Sequence, residues 1–497
     1  MTAGADRNTT FDVVVVGAGL SGIAAGHYLQ DLCPGRSYVI LEARQAIGGT
    51  WDLFRYPGVR SDSDMFTLGY SFRPWESDSS FAQGAAIREY VTATAREQGI
   101  DRHIRFGHRV TGADWDSQRA CWSVTAIAGE DGHEQRISCR FLYFCSGYYD
   151  YDQGHDPDWP GRQDFQGRIV HPQQWPADLD FAGRKVVIIG SGATAVTLLP
   201  ELAATAAHVT MLQRSPSYVV ALPARDRIGA ALRRRLPGAL SYRLVRWKNI
   251  LLTTAFYQFA RRRPDALKRL LRDAATKLLG PGFDVDRHLA PRYNPWDQRL
   301  CIAPDADLFR AIRAGKASIV TDQIERFTAN GIRLASGQEL PADLIVTATG
   351  LNLKMLGGAP IRVDGVPVDL SQTIVYRGSM YSGVPNLAVA SGYTNASWTL
   401  KCELVSRYVC RLLNHMDSKG LDICMPVNTD PALLSQPFIN LSSGYVQRAA
   451  GRLPRQGTRK PWRMYQNYLL DLLSLKSSPL ADGVMRFGRR QERPDPG

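Results

Sequence analysis

The sequence predicts an α/β protein built from two parallel-sheet βαβ units, the second interrupted by a basic helical insertion, on three observations. A β-branched run, Phe11-Asp12-Val13-Val14-Val15-Val16, leads directly into the loop Gly17-Ala18-Gly19-Leu20-Ser21-Gly22. The same order recurs as Lys185-Val186-Val187-Ile188-Ile189 followed by Gly190-Ser191-Gly192-Ala193-Thr194-Ala195. Between Arg227 and Arg292, sixteen Lys or Arg stand against four Asp, and this surplus of +12 is nearly the whole +13 net charge of the chain.

In the first unit the run without alternation is the mark of a strand buried on both faces. A helix is predicted from Ile23 to Leu32 and a second strand at Tyr38–Leu41, with Glu42 at its carboxyl end, 25 positions after Gly17. Gly17 permits the tight turn, Gly19 lets the backbone approach a pyrophosphate, Gly22 allows close helix–strand packing and Glu42 can accept from a ribose hydroxyl; Ala18 and Ser21 complete the loop. In the second unit Ala195 takes the third glycine's place, the helix runs to about Ala204 and the next strand is His208–Leu212. Where the first unit has its acid, the second has Gln213-Arg214-Ser215. A carboxylate there would repel a ribose 2′-phosphate, whereas Arg214 can pair with one and Ser215 can donate to it. The first unit is therefore expected to take FAD and the second NADPH; the plain alternative for Arg214 is a solvated turn residue.

Ala342–Gly350 reads as a strand ending in a glycine turn, like Phe141–Gly147 before it. These two segments are expected to be the crossings between domains. They divide the chain into a first domain over 1–147 and 345–497 and a second over 148–344, with the helical insertion at about 225–295.

At 497 residues the chain is long enough for two or three cores. No apolar run reaches the roughly 18 residues of a membrane span, and Met1–Thr10 has no apolar core of a signal peptide. The eight cysteines contain no CxxC pair and the histidines no ligand spacing, so no metal site, redox dithiol or disulfide framework is expected. A reducing cytoplasm is the simplest compartment. In the basic segment, Leu244, Trp247, Leu251, Leu252, Ala255, Phe256 and Phe259 fall near helical spacing. Such a helix pair can lie peripherally on an anionic membrane surface; the alternative is an insertion that packs its apolar stripe on the body and solvates its charges. No nucleic-acid motif accompanies the charge, so no nucleic-acid partner is expected. The oligomeric state has no signal in the sequence.

Three further motifs bear on chemistry. Phe165-Gln166-Gly167-Arg168-Ile169-Val170-His171-Pro172-Gln173-Gln174-Trp175-Pro176 has the form FxGxxxHxxxWP and ends fourteen residues before Gly190. Gly48-Gly49-Thr50-Trp51 is followed by Tyr56-Pro57-Gly58, with Asp62 four residues after that glycine. Arg299 stands directly before Leu300-Cys301. Together these resemble the signatures of Baeyer–Villiger monooxygenases, flavoproteins that insert one atom of dioxygen beside a carbonyl. The stretches GGTWDLFRYPGVRSDSD, GSGATAVTLLP, MLQRSPSY, NPWDQRLC and GYTNASWTLK are most similar to the ethionamide-monooxygenase-like branch.

The resemblance implies two Rossmann-like domains, FAD and NADPH as cofactors, and dioxygen with a small apolar ketone or thioether as reactants. Ketones of aliphatic, long-chain or phenyl type would become esters or lactones through a C4a-peroxyflavin, and thioethers sulfoxides. It lays Thr50, Trp51, Asp52 and Leu53 along the flavin, adds Val110 to the cofactor contacts, and points Asp62 at the isoalloxazine edge. Arg299 and Asp62 become the catalytic pair: a guanidinium stays protonated, so it can stabilise a peroxyanion and then the oxyanion of its carbonyl adduct. Phe165, Gly167, His171 and Trp175 become a hinge between the cofactor domains, with His171 structural rather than an acid or base. Family members often carry Lys directly before that arginine; here it is Gln298, which leaves NADPH preference mainly to Arg214. Two rival readings remain: an N- or S-oxygenating flavin monooxygenase, which shares both loops, and a membrane-surface or polyanion-binding protein with a vestigial nucleotide fold, for which the intact loops and Arg299 would be coincidences.

Overall fold

The computed structural model describes residues 10–129 and 132–490. In the first domain, strand Thr10–Val16 lies between Tyr38–Leu41 and His133–Phe144, parallel to both. Val13, Val14 and Val15 are fully buried, as a strand covered on both faces requires. Ile104–Arg105 extends this sheet beyond Tyr38–Leu41, and an antiparallel meander of His108–Asp116 and Cys121–Ala128 extends it on the other side. The last parallel strand, Leu387–Val389, pairs with the end of His133–Phe144, so the chain does return to this domain late. Helices Leu20–Leu32 and Trp398–Lys419 share one buried core beside the sheet.

The second domain has an all-parallel sheet in the order Ala317–Thr321, His208–Gln213, Lys185–Ile189, Leu344–Thr347, Arg168–Val170. Two expectations need correction here. Leu344–Thr347 belongs to this sheet, held between two strands with Ile345 and Val346 fully buried, so the return to the first domain starts beyond Thr347 rather than at 345. The FxGxxxHxxxWP segment is not wholly a connection, because its Arg168–Val170 is the outer strand of the same sheet. The connection proper is a pair of antiparallel segments, Tyr148–His155 beside Gly350–Lys354. They are joined by Lys354 N–H to Tyr148 O, Asp150 N–H to Asn352 O and His155 N–H to Gly350 O at 2.9, 2.9 and 3.0 Å.

The insertion forms helices Arg227–Arg235, Gly238–Arg262, Pro264–Leu279 and Val285–Leu289. Although it interrupts the second domain in sequence, it bridges both. Leu271 and Ala275 of the third helix are buried, Ala275 within the second domain's core, whereas Tyr242 and Val245 of the long helix are buried in the first domain's core. Arg246 Nη2 pairs there with Glu403 at 2.6 Å, both side chains almost inaccessible. The apolar stripe singled out in the sequence is not what packs: Leu244, Trp247, Leu251, Leu252 and Phe259 are exposed, and the helix buries Ser241, Tyr242, Val245, Arg246 and Ile250 instead. No helix of the described residues is long and apolar enough to cross a membrane.

Candidate active site

Both glycine loops open onto one cavity of about 920 Å³ that runs between the domains. At the first loop, Gly17 has φ of +104°, and a Cβ on Gly22 would lie 1.8 Å from Gly17 O, so the helix meets the turn with no room for a side chain. Ala18 N–H donates to Glu42 Oε2 at 2.7 Å and Arg44 N–H to Oε1 at 2.9 Å. The Glu42 carboxyl is buried on the cavity wall, which raises its pKa through desolvation, opposed by those two donors. A buried carboxylate with acceptor capacity left, beside a loop of free backbone N–H groups, fits the ribose and pyrophosphate of a dinucleotide.

At the second loop a Cβ on Gly192 would meet nothing within 4 Å, which leaves the backbone open to a ligand. Ser191 Oγ donates to Ser215 O at 3.0 Å and lies 2.9 Å from Ser217 Oγ, tying the loop to the turn that carries Arg214. Arg214 and Ser215 line the cavity with Ala193, Thr194 and Gln298. Arg214 is exposed, and among the described residues no acidic side chain pairs with it. Such a cation, flanked by hydroxyls, suits a phosphate monoester.

Not every predicted site residue reaches the cavity. Gly17, Gly19, Ser21, Thr50, Trp51, Asp62 and Val110 line it. Ala18, Gly22 and Ala195 pack behind the loops. Asp52 and Leu53, expected along the flavin, are not part of its lining. Asp52 is almost fully buried because its Oδ2 pairs with Arg44 at 2.7 Å, and its Oδ1 with Arg55 at 2.7 Å and Arg88 at 3.2 Å. Its arginines lower its pKa against the desolvation that would raise it. It anchors the loop whose neighbours Thr50 and Trp51 face the cavity.

Between the loops, Arg299 Nη2 donates to Asp62 Oδ2 at 2.7 Å, bringing together residues 237 positions apart. Asp62 is carried by the first domain, Arg299 by the second domain's chain just after the insertion. Each side chain is about a third accessible, 32% and 36%, and both border the cavity. The charge of Asp62 raises the arginine's pKa against the desolvation that would lower it, so the guanidinium is a fixed cation. Three tyrosines that sequence reasoning missed surround the pair: Tyr148, Tyr149 and Tyr445. Burial raises the pKa of all three, that of Tyr445 to about 12. The first two follow the turn at Gly147, where the crossing itself was the available signal; Tyr445 had none. Trp398, at the start of its helix, also lines the cavity and donates through Nε1 to Ser21 Oγ at 2.9 Å, fixing that helix N-terminus against the first loop.

The fingerprint residues stand away from this wall. Phe165 packs in a small core with Phe327, and Trp175 packs edge-on to Phe181. Gly167 is crowded by the Phe165 ring and Asp343 O. His171 accepts at Nδ1 from Gln173 N–H (3.2 Å), and its ring lies over Gly154 of the first crossing segment. Gln173 Nε2 donates to Asp150 O of the same segment at 2.9 Å. Burial lowers the His171 pKa. The fingerprint therefore grips the connection between domains. Among the described residues no group of three or more metal-ligating side chains exists.

A family model described as FMO-like, flavin-binding monooxygenase-like, matches residues 11–229. The FAD-containing monooxygenase EthA of Mycolicibacterium smegmatis is 53% identical over 482 residues, 97% of this chain and 98% of that protein. The chain belongs to the flavin-binding monooxygenase-like family. It is a flavoprotein monooxygenase, as the sequence resemblance implied, and a vestigial binding module has no support. Within solved structures it is similar in fold to an oxidised steroid monooxygenase bound to NADP, with a TM-score of 0.71 at 24% identity, covering 84% of this chain and 88% of that one. A structure of OTEMO in complex with FAD and NADP gives a TM-score of 0.68 at 22% identity, covering 84% and 86%. At that identity the likeness speaks for the fold, and the two-domain architecture expected from the sequence is shared.

Proposed function

We propose that this monooxygenase binds FAD at the Gly17 loop and NADPH at the Gly190 loop and carries out Baeyer–Villiger oxidation of small apolar ketones of aliphatic, long-chain or phenyl type. The balance is ketone, dioxygen, NADPH and a proton to ester or lactone, NADP+ and water; a thioether would give a sulfoxide by the same stoichiometry. The observation that carries the reading is the Arg299–Asp62 pair, which sets a permanent cation between the two loops. When bound, the flavin would supply activation of dioxygen after hydride delivery, through the peroxide chemistry that the family resemblance implies.

The chain's own residues then have separable tasks. Glu42 holds the flavin ribose, and Arg214 with Ser215 takes the 2′-phosphate of NADPH. Arg299 would stabilise negative charge developing on oxygen at the cavity wall, including that on the substrate's carbonyl oxygen, without giving up its proton. Asp62 keeps the guanidinium aimed at the cavity. Tyr148, Tyr149 and Tyr445, protonated throughout the physiological range, narrow the space around the cation and limit water there.

The test is NADPH oxidation and ester formation by wild type, Arg299→Ala and Arg299→Lys at equal flavin content. Ester formation is expected to fall about 10²–10³-fold in Arg299→Ala, with partial recovery in the lysine variant and no loss of flavin. Wild-type ester yield from Arg299→Ala would exclude the proposed role. An amine-oxygenating enzyme shares both loops but needs no fixed cation at a carbonyl; amine oxygenation undiminished in Arg299→Ala, with no ester formed from ketones by wild type, would favour that reading.

A further inference from the structure

The long insertion helix Gly238–Arg262 is unusual in being apolar on two faces. Its buried face is accounted for by the first domain. Its outer face carries Leu240, Leu244, Trp247, Leu251, Ala255 and Phe259 at intervals of three or four residues, one continuous stripe. Leu251 and Leu252 are 51% and 59% exposed. The stripe adjoins the C-terminal helix Tyr468–Lys476, where Trp247 packs edge-on against Tyr468 with ring centroids 5.9 Å apart. On that helix Leu470 and Leu473 are exposed at 44% and 62%, while its sole acid, Asp471, is buried against Lys401. Ile228, on the preceding insertion helix, adds another exposed apolar side chain. Scattered surface leucines need no explanation, but a contiguous platform from adjoining helices does.

The charges around the platform have one sign. From Arg227 through Pro264 the sequence contains no Asp or Glu. Arg227, Arg234, Arg235, Arg243, Arg262 and Arg263 are exposed, and among the described residues none has an acidic partner within 4.0 Å. Arg243 lies directly within the stripe, between Leu240 and Leu244. A second copy of the chain would bring this basic rim against its own image, at a repulsive cost. Apolar side chains with a tryptophan, ringed by arginines and free of carboxylates, match the interface of an anionic bilayer, with acyl chains for the stripe and headgroup phosphates for the guanidiniums.

We propose that this platform, formed by the outer face of Gly238–Arg262 and the Leu470–Leu473 edge of the C-terminal helix, docks the enzyme on an anionic membrane surface. The inner face of the same helix backs the cavity, since Ile250 packs on Tyr393 and Leu400, and Tyr393 lines the cavity wall. Docking therefore sets the active site about one helix thickness from the bilayer. The docking claim stands apart from the reaction chemistry, because it uses no residue assigned to cofactor or catalysis.

The experiment is flotation of flavin-loaded enzyme with phosphatidylcholine vesicles and with vesicles containing phosphatidylglycerol, at low and high salt. Wild type, Leu251→Ser/Leu252→Ser, Leu473→Ser and Arg234→Glu/Arg235→Glu are compared. Wild type should float with the anionic vesicles at low salt and much less with neutral vesicles or at high salt. The double serine variant should bind roughly tenfold more weakly per leucine removed, the charge-reversal variant should lose its preference for anionic lipid, and turnover of a water-soluble ketone without vesicles should be unchanged in both. Leu473→Ser should be weakened as well, since it probes the platform from a separate helix. No flotation of wild type, equal flotation of all variants, or a wild-type dimer that Leu251→Ser/Leu252→Ser dissociates would each overturn the proposal.

Discussion

Replacing Arg246 by Met tests whether the insertion is held to the first domain by one buried ion pair. Arg246 Nη2 lies 2.6 Å from Glu403 Oε2, and the two side chains are 7% and 6% accessible. Its Nη1 also donates to Phe66 O at 2.9 Å and Gly69 O at 2.7 Å, so one guanidinium closes a loop of carbonyls as well as a carboxylate. Methionine removes all of these donors while filling much of the same volume. Glu403 then keeps only neutral donors, Ser71 N–H at 2.9 Å, Ser71 Oγ at 2.8 Å and Tyr28 OH at 3.1 Å. Leaving one member of a buried pair uncompensated costs about 3–5 kcal/mol. With a urea m-value of about 3 kcal/mol/M, this corresponds to a midpoint shift of about 1 M or more. Adding Glu403→Gln should recover roughly 1–2 kcal/mol, because the stranded charge is gone. Urea unfolding followed by helix circular dichroism and flavin fluorescence measures both shifts. An Arg246→Met midpoint within about 0.3 M of wild type, under 1 kcal/mol on that slope, or a double variant worse than the single by the full cost of a second lesion, would refute the reasoning.

Further outcomes follow from the same geometry. Arg214→Ala should raise the KM for NADPH tenfold or more while leaving NADH turnover unchanged, since a charge-assisted bond to phosphate is worth about 1.5–3 kcal/mol; equal effects on both coenzymes in steady-state kinetics would remove Arg214 from that role. Gly22→Ala should abolish flavin retention, because the added methyl would sit 1.8 Å from Gly17 O, whereas Gly192→Ala should fold and retain flavin, with space around its Cβ and an extended backbone. Absorbance of the purified variants at the flavin band separates the two. His171 is held neutral by burial, its folded pKa below its unfolded one of about 6.5. Its contribution to stability is therefore complete above that unfolded value and lost as pH falls through the folded one. The gap between wild type and His171→Gln in urea midpoint should narrow from pH 7.5 to 5.5; a widening gap would reverse the assigned sign.

The parts legible in the sequence are those whose cause is local. Val13–Val16 and Val186–Ile189 announce buried strands because each run has no polar alternation, and the glycines that follow are required by turns a few residues long. Ala342–Gly350 is equally clear as a strand, but the boundary expected at 344/345 cuts through Leu344–Thr347. Its neighbours, 168–170 and 186–189, are far off in the chain, and burial on both faces looks the same in either sheet. The orientation of Asp52 is hidden for a related reason: it sits beside two residues that face the cavity, and the convergence of Arg44, Arg55 and Arg88 turns it inward. The Arg299–Asp62 pair, 237 residues apart, was reachable only through resemblance, and Tyr445 beside it carries no periodic signal at all.

The insertion helix is the most instructive departure. Hydrophobic periodicity picks the stripe through Leu244, Trp247 and Leu251, and the ordinary inference is that such a stripe faces the core. The helix instead buries the face that contains Ser241 and Arg246. That choice is stable because Glu403 and the carbonyls of 66–69 are waiting for a guanidinium, and no rotation of the helix satisfies both them and the leucines. A polar group with buried partners is expensive to leave unmatched, about 3–5 kcal/mol for this pair, while an exposed leucine gives up about 1.5–3 kcal/mol. One arginine can therefore outweigh a single leucine but not the whole stripe. The buried face adds its own apolar gain through Tyr242, Val245 and Ile250, while leucines left exposed forgo a gain without adding a cost relative to the unfolded chain.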